Sequence, residues 1–249
     1  MVIYLIVHSA LLLPSPVITE IASNPLIETS GEFVEIFNPS NEPLCLAGYS
    51  LTDGDALDEL LPWDEGVHGP FPHAGMILGT DTLPAEGFAL VFELDYPDEP
   101  VYEIPAGTLI LTTGDYSICN GLAASSDPLT LFGPGGTADS NAVSTYGTPV
   151  PTDIWQNRDD DGLDGIPFDP GEEYTVERFP FSSPDNENYW IIGNEGGSPG
   201  SQPEAPPDSV NISCDSIWTI PSEPAPLEIF QINAIITCHG NVPPSSGTV

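Results

Sequence analysis

Residues 17–51 read VITEIASNPLIETSGEFVEIFNPSNEPLCLAGYSL, and their pattern decides the fold class. Three short β-type runs, VITEI (17–21), EFVEIFN (32–38) and LCLAGYSL (44–51), are separated by turns built on Asn-Pro, Ser-Gly and Asn-Pro-Ser. Short strands at this spacing predict an all-β sandwich or barrel. The remainder of the chain agrees. Its 249 residues include 24 Gly and 29 Pro, a density that suits many turns and opposes long helices. Helical periodicity is missing, and FALVFEL (88–94) and GTLILTT (107–113) predict strands buried on one or both faces.

Charge narrows the function classes. There are 38 Asp and Glu against two basic residues, Arg158 and Arg178, and no Lys, for a net charge of −36. Such a surface repels nucleic-acid phosphates and anionic lipids, which argues against nucleic acid and membrane surfaces as partners. Divalent cations and basic partners remain open, beside the simpler account of an acidic coat that keeps an exported protein soluble. Residues 1–16, MVIYLIVHSALLLPSP, form an apolar run too short to span a bilayer as a helix and lacking the basic start of a signal peptide. They read as a leader that begins upstream of Met1, the alternative being an apolar edge segment packed on the sandwich. The expected location is extracellular or on the cell surface.

Four cysteines, Cys45, Cys119, Cys214 and Cys238, fall in no zinc-type spacing. Cys214 and Cys238 flank two strand-like runs and form a candidate disulfide, which would contribute about 3 kcal/mol in the chain-entropy model. A Cys45–Cys119 bridge is the weaker pairing, with free buried thiols as its alternative.

Along the chain, an acidic irregular loop is expected over 52–72, then strands in FALVFEL, YEIPAGTLILTTG, Leu129 to Phe132, STYG, YTVERF and NYWIIGNEGG. Residues 202–208 read as a Pro-rich linker closing a first domain over 17–201. Residues 209–249 hold two or three further strands. About 40 residues cannot close a sandwich that takes about 100, so they predict part of a second module in a longer modular protein.

Taken in order, the motifs resemble a lamin-tail domain, the immunoglobulin-like module of nuclear lamins that also occurs in exported bacterial proteins. The residues that carry the resemblance are Ile18-Thr19-Glu20-Ile21, Glu32 to Asn38, Leu46-Ala47-Gly48-Tyr49 in place of Leu-Ser-Gly-Trp, and Leu83-Pro84-Ala85-Glu86-Gly87. Further on are Glu173 to Arg178, Tyr189-Trp190 and Ser198-Pro199-Gly200. The exported branch fits better, since the chain has no heptad rod, prenylation box or basic localisation signal. The resemblance implies an immunoglobulin-like sandwich that serves as a noncatalytic adhesion, anchoring or spacer module, binding a protein or glycan beside other modules of the same polypeptide. The alternative it implies is an accessory domain of an extracellular hydrolase or nuclease whose catalytic domain lies elsewhere.

Candidate sites are few. Asn157, Asp159, Asp161 and Asp164, around Gly162, place oxygen ligands at alternating positions as in a calcium loop. The loop departs from the EF-hand pattern because Phe168 stands where the bidentate Glu belongs and Arg158 lies within it; a solvated acidic turn is the simpler account. No other cofactor is expected. Arg178, inside the apolar run YTVERF, reads as a structural cation that pairs with a carboxylate, with Glu35 of FVEIF as the expected partner. Gly196-Gly197-Ser198-Pro199-Gly200 matches the nucleophile-elbow pattern, but Pro199 has no N–H to give to an oxyanion, so no catalytic serine is assigned. His68 and His73 read as chance loop histidines. Trp63, Trp155, Trp190 and Trp218 read as core or strand-end anchors, with stacking of Trp63 and Phe71 on sugar rings as the alternative, and Asn211 begins an N-glycosylation sequon.

Overall fold

Turns at every Asn-Pro and Gly-rich break divide the first 203 residues into thirteen short strands among the described residues. The computed structural model describes residues 15–27, 30–124, 127–147, 168–181, 183, 185–186 and 188–203, with the backbone of Ile212–Ile220 and Gln231–Cys238. In chain order these are β1 (Val17–Ala22), β2 (Phe33–Phe37), β3 (Leu44–Cys45), β4 (Ser50–Thr52), β5 (Leu57–Glu59), β6 (Leu61–Pro62) and β7 (Thr82–Leu83). They continue as β8 (Phe88–Phe92), β9 (Leu109–Thr112), β10 (Leu129–Phe132), β11 (Ala142–Tyr146), β12 (Tyr174–Arg178) and β13 (Trp190–Glu195).

A seven-stranded sheet runs β13-β12-β1-β2-β8-β9-β6 and a four-stranded sheet runs β11-β10-β4-β5. All pairs are antiparallel except β8 with β9. One apolar core joins the sheets: Ile18, Ile21, Val34, Ile36, Val91, Leu109 and Val176 from the larger meet Leu51, Leu129 and Leu131 from the smaller. The fold is thus all-β and sandwich-like.

The outer face of the large sheet is covered too. Phe33, Leu90, Phe92 and Ile110 pack there beneath Trp63, Phe71, Tyr96 and Tyr102. Burial on both faces explains why FVEIF and LILT are buried at every position. Trp63 and Phe71 are buried, with rings 5.1 Å apart, so these two aromatics are core packing and not an exposed sugar-stacking platform. Residues 52–72, expected to be irregular, contain β5, β6 and one short helix, Glu65–His68, whose first turn is capped by the Asp64 carboxylate accepting from the Gly66 N–H.

The LCLAGYSL run divides. Its first part, β3, pairs with β7 in a separate two-stranded ladder; its last residues enter β4 of the small sheet. Gly48, at φ +75°, makes the turn between them.

The chain separates into two compact units, Met1–Pro203 and Glu204–Val249, a division inside the Pro-rich segment. In the second, β14 (Ile212–Ile220) and β15 (Gln231–Cys238) form an antiparallel pair. Cys214 stands opposite Ile236, and Cys238 opposite Ile212. The two cysteines thus stand on neighbouring strands, two positions apart in register, and their side chains, with the expected Cys214–Cys238 bridge, lie outside the described residues. Cys45 and Cys119 are both free, the first exposed and the second buried.

Candidate functional site

Three strands of the large sheet each carry one acid among apolar neighbours: Glu20 in β1, Glu35 in β2 and Glu177 in β12. The register sets Glu20 opposite both Glu35 and Glu177. Directly opposed residues share a face, so the three acids form a row across the outer face. All three are buried.

The chain's return after β13 covers this row. Glu20 accepts hydrogen bonds from the Ser198 N–H (2.9 Å) and hydroxyl (3.3 Å). Glu35 accepts from the Gly200 N–H (2.6 Å) and the Thr19 hydroxyl (2.6 Å). Glycine makes the approach feasible. A Cβ at Gly197 would strike the Glu20 carboxylate, and one at Gly193 the Glu177 carboxylate. Burial, reinforced by the Glu177 charge, pushes the Glu20 carboxyl up to about 8, against the pull of the Thr175 and Ser198 donors. Burial and the neighbouring Glu20 push Glu35 well above the ordinary range. At neutral pH Glu20 therefore holds its proton and acts as a neutral hydrogen-bonding group, and Glu35 is biased in the same direction.

Arg178 follows Glu177 in β12 and so faces the opposite side, the inner core. Its guanidinium donates to the Thr145 carbonyl (2.6 Å) and the Ser183 carbonyl (3.1 Å), and lies 4.6 Å from the centre of the Trp190 ring. Asp185 lies in the same region: it accepts from the Trp190 indole N–H at 2.7 Å and from the Thr145 hydroxyl. Glu35, the carboxylate expected to pair with Arg178, points to the outer face, where it binds Thr19 and Gly200 with the sheet between it and the guanidinium.

A second acid pair sits where β2 begins and β8 ends. Glu93 accepts from the Glu32 N–H (3.3 Å), and Glu32 accepts from the Leu122 N–H (3.2 Å). Burial raises Glu32 to about 8 and Glu93 to about 7, with Asp95 and Asp127 adding repulsion at Glu32 and Asp95 at Glu93. Nearby, Asp58 accepts from the Cys119 N–H at 2.6 Å, and burial pushes the Cys119 thiol up. Pairs of carboxyls with raised affinity for protons are the raw material of acid–base chemistry. Here each one named is bound to a main-chain donor of an adjoining segment.

Among the described residues no three His, Cys, Asp or Glu side chains converge in a way that could hold a metal ion. The candidate calcium loop, Asn157, Asp159, Asp161 and Asp164, lies outside the described residues, as do Trp155 and Asn211. His73 meets the Tyr96 hydroxyl at 3.0 Å, and His68 lies against the Trp63 ring at 5.7 Å, so each is used in packing. Among the described residues no helix is long and apolar enough to cross a membrane.

The glutamate row is what the sequence reading missed. Its signal was present: one acid at the matching place in VITEI, FVEIF and YTVER, followed by the close-packing residues GGSPG. The chain matches no family model, no curated protein and no solved structure at significant similarity.

Proposed function

We propose that the first unit is a noncatalytic β-sandwich module, of the exported lamin-tail type its motifs resemble, used for adhesion, anchoring or spacing in a larger extracellular or cell-surface protein. One observation carries this reading. Glu20 and Glu35 bind the main chain of Ser198 and Gly200, so the best acid–base candidates of the sheet are committed to holding the exit of the module. That exit lies directly before the Pro-rich segment leading to the second unit. A module strung in series needs a fixed exit, since a stiff Pro-rich spacer transmits orientation only from a fixed point.

Two assays test the proposal. The full chain is incubated with phosphodiester, phosphomonoester, ester and peptide substrates, and no turnover is expected. Turnover that disappears in Glu20→Gln or Glu32→Gln would overturn the noncatalytic reading. Protease shaving of intact source cells should remove the protein; protection from shaving would overturn the surface location.

A further inference from the structure

A cavity of about 180 Å³ opens beside the glutamate row, walled by Leu26, Val101, Tyr102 and Tyr174 together with Glu173 and Glu195. Two large apolar side chains at its rim stand open to solvent, Leu26 at 61% and Tyr174 at 39% exposure. The walls are held by main-chain and ring contacts. The Tyr102 hydroxyl donates to the Gly31 carbonyl at 2.6 Å, and its ring meets Phe33 edge-on at 5.0 Å. Tyr174 is paired across the strands with Glu195. Glu173 adopts a left-handed backbone (φ +72°), its N–H bound to the Asn24 carbonyl and its own carbonyl bound by the Gly196 N–H. A non-glycine residue persists in that conformation only where surrounding contacts dictate it. Here those contacts tie Glu173 to both flanking segments.

Aromatic and aliphatic walls with two acids select a ligand of definite chemistry. An anion is repelled, and a purely apolar group would desolvate the acids without recompense. A side chain with an apolar stem and a cationic end satisfies both halves, laying its methylenes on the tyrosines and its charge beside the carboxylates. Among the described residues the chain places no such group of its own there: it has no Lys, and Arg178 is buried on the inner face.

We infer that this cavity is a recognition pocket for a basic side chain, lysine or arginine, presented by a partner protein. The inference rests on the reading of the chain as a binding module and names the chemistry of its partner.

The test is an amide NMR titration of the full chain with Nα-acetyl-lysine amide, Nα-acetyl-arginine amide and the uncharged Nα-acetyl-norleucine amide. Saturable shifts are expected at Thr175, Glu195 and Gly196 with at least one cationic probe, and the stronger of the two identifies the preferred residue. Norleucine amide should bind about tenfold or more weaker, as loss of a charge-assisted contact implies. Glu173→Gln combined with Glu195→Gln should reduce the cationic probes to that level. Glu195→Gln alone, at an exposed position, should give a smaller loss in the same direction. Equal binding of norleucine amide, unchanged binding in these variants, or no saturable shift with either cation would overturn the pocket. Any of those results would leave the noncatalytic reading standing, because only substrate turnover removes that.

Discussion

Glu20 keeps its proton at a pH where an exposed glutamate has lost it, and this has a measurable sign. Its folded-state affinity for protons is raised from 4.5 to about 8, so its stabilising contribution is complete below about pH 4.5 and lost as pH rises through 8. Glu20→Gln mimics the protonated acid and retains an acceptor for the Ser198 N–H. It should melt close to the wild type near pH 4.5 and above it near pH 8 in thermal scans. Gly197→Ala belongs to the same site. It would push a methyl group into the Glu20 carboxylate from a backbone at φ +69°, and should cost about 2–4 kcal/mol in urea denaturation. On the other face, Arg178→Met leaves the buried Thr145 carbonyl without its guanidinium donor and removes the charge stacked on Trp190. A loss of about 3 kcal/mol is expected by the same measurement.

At the level of elements, much of the fold was legible. The runs VITEI, EFVEIFN, FALVFEL, LTLF and YTVERF become β1, β2, β8, β10 and β12, because apolar residues between strong turn formers leave few alternatives. LCLAGYSL did not resolve, since the two-residue β3 gains its partner β7 from tertiary packing far along the chain. Trp63 is a core residue, as its anchor reading expects, whereas the alternative of sugar stacking with Phe71 fails because a second apolar layer, which local sequence cannot show, closes over the outer face of the sheet. Cysteine reactivity follows element position. Cys45, on the exposed edge of β3, should react with a thiol reagent in the native protein. Cys119, buried beside Asp58, should react only after unfolding, with labelled peptides identified by mass spectrometry. Native labelling of Cys119 would place it elsewhere.

For the whole molecule, a net charge of −36 sets acid against acid across the surface. Salt screens such repulsion, so the melting temperature should rise with added sodium chloride, most strongly at alkaline pH. Composition assigned the acids to that surface, and this is why the row was not read from the single acids of VITEI, FVEIF and YTVER: no local pattern says which strands pair. Only the pairing of β12, β1 and β2 brings them together, and only the glycines near the exit allow the chain to close over them. The central claim is that these acids hold the exit of the module. Amide hydrogen exchange at Ser198 and Gly200, referred to intrinsic rates as pH is raised, tests it most directly. The account predicts strong protection of both amides on the acid side that falls at Ser198 as pH passes about 8 and at Gly200 as Glu35 in turn ionises, while Leu90 and Leu131 in the sheets stay protected. Unprotected amides at Ser198 and Gly200, or protection at Ser198 that does not change across that range, would contradict it.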